Sequence, residues 1–134
     1  MPEHIDLLYS NAMIKLDKSL AKHGEQSLDI LYNVVLEEIG EVIKEMNELE
    51  WQTPKANFKK FTEEIEDVIA VCLVFNRYMR VDEIDMDENM TNNELLQDMF
   101  GSLSYKPHFE EYIADMVHQI CFYLYIRFYN KYAK

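Results

Sequence analysis

Apolar residues return every three or four positions over most of this chain, and that spacing predicts helices. Ile5, Leu8, Met13, Leu16 and Leu20 form the first series, which shares one face at 3.6 residues per turn and predicts a first helix over about 3 to 22. It stops at Lys22-His23-Gly24, where glycine accepts the left-handed backbone that ends a helix. Ser27 stands where a cap is needed for a second helix over about 28 to 50. The stripe of that helix is Val35, Ile39, Val42, Met46 and Leu49. Thr53-Pro54 reads as an N-cap followed by a first-turn proline, opening a third helix that buries Phe61, Ile65, Val68, Ile69 and Cys72 and runs to about Arg80. After an acidic connector from Val81 to Asn89, Thr91 and Glu94 have the spacing of a capping box. They start a short helix that Gly101 closes, and Pro107 begins a last one reaching about Lys131.

Composition agrees with that pattern. At 134 residues and 49% hydrophobic content the chain fits one domain, residues 1–134, with a core of its own. Three glycines and three prolines are too few for a turn-rich β fold, so the expected architecture is a single-domain, all-α bundle of about five helices. The final segment, ICFYLYIRFYNKY, is apolar or aromatic on nearly every side, more than a surface helix requires. It reads either as a central core helix or as one shared with a second subunit. The number of rings favours a homodimer or homotetramer.

Charge and cysteines narrow the function classes. A formal charge of -12 repels a phosphate backbone and argues against a nucleic-acid duplex as partner, while nucleotides that carry Mg²⁺ stay compatible. Cys72 and Cys121 sit among apolar residues without CxxC spacing and read as buried thiols. The longest apolar run, Val68 to Phe75, is far short of the ~20 residues that span a bilayer. MPEHIDLLYS lacks the basic start and apolar stretch of a signal peptide. The expectation is a soluble, cytoplasmic protein with no membrane partner.

Two acidic blocks carry the candidate chemistry: LEEIGEVIKE, Leu36 to Glu45, and EEIEDVIAV, Glu63 to Val71. At ~100° per residue, Glu38, Glu41 and Glu45 fall along one side of the second helix, with Glu38 at the border of the apolar stripe. Glu64 takes the matching border position on the third helix, with Asp67 one turn on. Antiparallel packing of the two helices would make these carboxylates face each other. Like charges so close repel, and partial burial adds a desolvation cost, so the arrangement calls for a cation or for raised pKa values. Mg²⁺ suits it, being a hard ion that takes carboxylate oxygens and leaves positions for phosphates. Either block by itself fits an ordinary solvated helix face. The occurrence of both, each flush with an apolar stripe, is what favours metal.

Glu38-x-x-Glu41 followed after 22 residues by Glu64-x-x-Asp67 resembles the ExxE…ExxD signature of the MazG-like all-α nucleoside triphosphate pyrophosphohydrolases. The phrases KHG and VLEEIGEVIKE are similar to members of that superfamily as well, and the resemblance covers about Lys22 to Phe75. It implies an oligomeric helical bundle that binds Mg²⁺ through Glu38, Glu41, Glu64 and Asp67 and hydrolyses an NTP or dNTP to the monophosphate and pyrophosphate. Glu66 stands where many such relatives have a glycine. The chemistry needs an attacking water, neutralised charge on the leaving pyrophosphate and alignment of the two. Glu38 or Glu41 is the candidate to orient or deprotonate the water.

Other residues weigh less. Lys44, Lys55, Lys59, Lys60, Arg77 and Arg80 are cations near the blocks, each more simply read as surface charge. Trp51 can stack on a base or merely pack. Asp115 and His118 have the spacing of half a di-iron motif, but the second half is missing, so His118 reads as a core or edge histidine. Glu83, Asp85, Asp87 and Glu94 imitate part of a calcium loop without its turn glycine. Glu48 is turned towards solvent by the same periodicity. The rival to the enzyme is a non-catalytic acidic helical protein that binds a partner through its aromatic C-terminal helix.

Overall fold

Helical periodicity organises the chain almost wherever it occurs. The computed structural model describes residues 2–77, 87–105 and 109–133. These form five α-helices, α1 Glu3–His23, α2 Leu28–Glu50, α3 Phe58–Cys72, α4 Asn92–Tyr105 and α5 Glu111–Phe128, followed by a π-helical turn Tyr129–Ala133. The described residues contain no strand, and the protein is an all-α bundle. None of the described helices is long and apolar enough to cross a membrane.

The α3 helix is the hub, packing against α1, α2 and α5. Its stripe of Phe61, Ile65, Val68, Ile69 and Cys72 is wholly shielded from water, as are Val35, Ile39 and Val42 of α2. Such side chains each contribute roughly 1.5–3 kcal/mol on full burial, so this seam supplies a large part of what holds the two acidic blocks together. The ends of α1 and the start of α2 follow local rules: Gly24 at φ 69 caps α1 with its N–H on Leu20 O, and Ser27 Oγ accepts from Ile30 N. Thr91 and Glu94 make both bonds of the capping box at the head of α4.

Three boundaries differ from expectation. The cap of α3 is Asn57, whose Oδ1 accepts from Lys60 N at 3.2 Å. Thr53 instead donates its hydroxyl to the Glu48 carboxylate, inside a turn in which Gln52 takes φ 51. Pro54 therefore lies in the reversal between α2 and α3 rather than in the first turn of a helix. Gly101 does not close α4, which continues to Tyr105 because Leu103, one half-turn further, has a place in the core. The regular part of α3 ends at Cys72; Arg80 and Pro107, like Glu83 and Asp85, lie outside the described residues.

Most of the aromatic load of α5 is taken up inside the single chain. Phe122, Tyr125 and Phe128 are buried, and Phe128 packs on Phe61 with ring centroids 4.9 Å apart. This is the core-helix arrangement. Cys72 and Cys121 are free and buried, and burial pushes the Cys121 thiol up to about 12.

Candidate metal centre

The pairings between α2 and α3 run in opposite directions along the chain. Lys60 meets Glu45 near one end of α3, while Asp67, further along, meets Glu38, nearer the start of α2. That antiparallel contact places Glu38, Glu64 and Asp67 together, with carboxylate oxygens all within 4.8 Å of one another. All three are half-buried, because each stands beside a core residue: Glu38 precedes Ile39, Glu64 precedes Ile65, and Asp67 precedes Val68.

The electrostatics carry the mark of crowding. Burial raises the Glu38 carboxyl to about 7, reinforced by the charges of Asp67, Glu64, Glu37 and Glu41. Glu64 is raised too, by burial first and then by Asp67 and Glu41, with Lys15 pulling the other way. A group of acids in this state gains from any cation placed among them.

Of the four acids marked in the sequence, the structure gathers three. Glu41 is half-buried and stands outside the trio, although its charge reaches both Glu38 and Glu64. Glu45, one turn beyond it, is only 2% exposed. Its Oε1 lies 3.6 Å from Lys60 Nζ, and its Oε2 has no hydrogen-bond partner among the described residues.

The residue that sequence reasoning missed is Lys15. From α1 its Nζ reaches Asp67 Oδ1 at 2.8 Å, Glu66 Oε1 at 3.4 Å and the Glu63 carbonyl at 2.9 Å. Asn11, one turn earlier, donates to Glu66 Oε2 at 2.9 Å. Glu66 is thereby buried with both oxygens answered, which accounts for a carboxylate tolerated inside the seam. Burial by itself lowers the Lys15 ammonium, and the pull of Asp67 and Glu66 outweighs this and raises it. The signal lay in Asn11 and Lys15, a polar i, i+4 pair on the border of the α1 stripe, but only the packing of α1 on α3 says which acids they meet.

Beside the trio opens a cavity of about 530 Å³, within the range of roughly 300–1,000 Å³ usual for small-molecule sites. Lys15, Glu38 and Asp67 stand on its wall, Arg77 is a further charged lining residue, and Leu20, Leu31, Val71 and Phe75 give it an apolar body. Arg77 is paired with Asp17. Trp51 is 72% exposed and does not line this cavity. His118 is fully buried and hydrogen-bonded through Nε2 to the Tyr9 hydroxyl, a core position away from the acids. Asp115 accepts from Gln119 Nε2 at 2.7 Å, and its charge reaches His118.

No family model, curated protein or solved structure matches the chain.

Proposed function

We propose that this protein is a Mg²⁺-dependent nucleoside triphosphate pyrophosphohydrolase of the MazG-like kind, converting an NTP or dNTP to the monophosphate and pyrophosphate. The observation that carries the reading is the meeting of Glu38, Glu64 and Asp67, two of which, Glu38 and Asp67, line a cavity large enough for a nucleotide. The resemblance of Glu38-x-x-Glu41…Glu64-x-x-Asp67 to the superfamily signature supports it independently.

The donor set fits the ion. Three hard oxygen donors, with Glu38 lifted to about 7 by burial and then by its acidic neighbours, suit Mg²⁺ better than a softer metal. Glu38, Glu64 and Asp67 would hold it, and Glu41, which stands outside the trio, is a ligand only by the resemblance. Mg²⁺ bound there supplies neutralisation of the charge that builds on the leaving pyrophosphate. Water adds to the α-phosphorus, the bond to the bridging oxygen breaks, and pyrophosphate leaves with the electron pair. The proton of the water passes to a carboxylate, for which Glu41 and Glu38 are the candidates. The apolar body of the cavity excludes competing water and receives the nucleoside.

A homodimer or homotetramer and a cytoplasmic location belong to the same proposal. Leu7 and Ile14 stand more than half exposed along α1 and offer apolar surface to a second copy. The partner-binding alternative is less well supported, since the rings it relies on are in the core of α5.

The test is a panel of common NTPs and dNTPs with the purified protein, following nucleotide and pyrophosphate together. Equimolar monophosphate and pyrophosphate, appearing only with a divalent cation and absent in Glu38→Gln, is the expected result. Release of orthophosphate, or no turnover with any of them, overturns the reading.

A further inference from the structure

Lys15 is bound in a way that an ordinary surface lysine is not. An ammonium has three protons to donate, and here three acceptors surround it: Asp67 Oδ1 at 2.8 Å, Glu63 O at 2.9 Å and Glu66 Oε1 at 3.4 Å. Two of these acceptors do nothing else for the candidate centre. Glu66 is fixed by Asn11 on its other oxygen, and Glu63 contributes only its backbone. The third, Asp67, is one of the trio. Lys15 also lines the cavity beside Glu38 and Asp67. It therefore shares the cavity wall with two of the acids and contacts one of them.

We propose that Lys15 is a displaceable counter-ion, which occupies Asp67 until a divalent cation arrives together with an anion and then turns to that anion. The inference rests on the metal-centre reading above. A dication on Asp67 sits within a few ångströms of the ammonium, and the repulsion between them weakens binding of the bare ion. When the same ion comes already chelated by a phosphate chain, the ammonium has a new partner in the cavity and its tether to Glu66 keeps it within reach. The site thus discriminates against free metal and in favour of metal with phosphate, a positive linkage between two ligands. Lys15 is an anion-binding residue in this scheme.

Two measurements test it, neither of them turnover. The first is calorimetric affinity for bare Mn²⁺ and for its one-to-one complex with methylenediphosphonate, a non-hydrolysable stand-in for pyrophosphate, in the wild type, Lys15→Met and Lys15→Arg. Removing the ammonium should tighten bare Mn²⁺ by about tenfold, given the strength of charge interactions at such distances in a half-exposed site, and weaken the complex several-fold. Lys15→Arg should stay near the wild type in both. The second uses only the wild-type chain: acetic anhydride labelling of lysines, read by mass spectrometry. Lys15 should label slowly beside Lys18 and Lys22 in chelator and gain reactivity at saturating Mg²⁺, where the bare ion is forced onto Asp67 with no anion to receive the ammonium.

Mn²⁺ that binds with the same affinity to the wild type and Lys15→Met, with Lys15 labelling indifferent to Mg²⁺, overturns the counter-ion and leaves the metal centre standing. Tightening of both bare ion and complex in Lys15→Met overturns the turn towards the anion. Failure of both Mn²⁺ and its methylenediphosphonate complex to bind the wild type, with Asp67→Asn identical to it, overturns the metal centre and this inference with it.

Discussion

Glu38 and Glu64 differ from the acids around them by where they stand, not by what they are. Each borders the core and is raised from its ordinary value, by burial first and by acidic neighbours second. Glu38→Gln or Glu64→Gln keeps the size and removes the charge, and turnover should fall at least ~10²-fold, since a misplaced metal gives up several kcal/mol of transition-state stabilisation. Circular dichroism should show both variants folded; near wild-type turnover at saturating Mg²⁺ would mean another ligand set. The control needs an acid that makes no such contact. Glu48, which periodicity turns to solvent, is half-buried and takes the Thr53 hydroxyl, so it does not serve. Glu63 is exposed and offers Lys15 only its carbonyl, so Glu63→Gln should change turnover less than ~3-fold, as exposed substitutions usually stay within about 0.5 kcal/mol.

At the scale of the element, two small residues reverse what the sequence pattern suggests. Gly101 lies inside α4 on an exposed face, and a Cβ built there meets nothing within 4 Å. Gly101→Ala should therefore stabilise the protein by roughly 0.5–1 kcal/mol, through the lower helix propensity of glycine. A helix-closing glycine in the left-handed region would give the opposite sign. Asn57 is the true cap of α3, so Asn57→Ala should cost about 1 kcal/mol, whereas Asn57→Asp should cost little. Urea unfolding midpoints at constant slope check both. A destabilised Gly101→Ala would restore Gly101 as the end of the helix, and an unaffected Asn57→Ala would return the cap to Thr53.

At the scale of the whole molecule, two groups oppose each other in the response to acid. His118 is lowered to about 4 by burial, against 6.5 for the free side chain, so the unfolded chain takes up its proton first and stability is lost as pH falls from 6.5 towards 4. Glu38 is raised from 4.5 to about 7 when no metal is bound, so its contribution is present below 4.5 and is lost as pH rises through 7. The slopes have opposite signs over the same window. In chelator, His118→Gln should gain stability at pH 5 relative to pH 7.5 against the wild type, and Glu38→Gln should lose it; matching shifts in the two variants would contradict these assignments. On the proposed function, metal would act on the same balance. Mg²⁺ should raise the melting temperature, by RT ln(1 + [L]/Kd), or ~2.7 kcal/mol at a hundredfold excess over Kd. Glu64→Gln, relieved of its acidic neighbours, should melt at or above the wild type in chelator and gain much less from Mg²⁺. Equal gains from Mg²⁺ and from a monovalent salt of matched ionic strength would reduce the trio to a solvated face.

Periodicity by itself determined the helices and their buried stripes, because a residue's place on a 3.6-residue turn decides whether it faces core or water without reference to the rest of the chain. The same rule set Glu38, Glu64 and Asp67 on the borders of two stripes, and in the structure they stand there as neighbours. Caps and turns were less legible: Thr53-Pro54 and Asn57 both carry a cap signature, and the cap fell to Asn57 because the chain stays in a turn as far as Asn57, where Thr53 Oγ1 accepts from Lys55 N instead of from a helix. What only tertiary packing decided is the pairing across helices far apart in sequence. Lys15 meets Asp67 and Asn11 meets Glu66 because α1 crosses α3 at that point. The cavity exists because α1, α2 and α3 leave space beside the acids. Such contacts depend on how three surfaces fit together, and no periodicity within one of them encodes the fit.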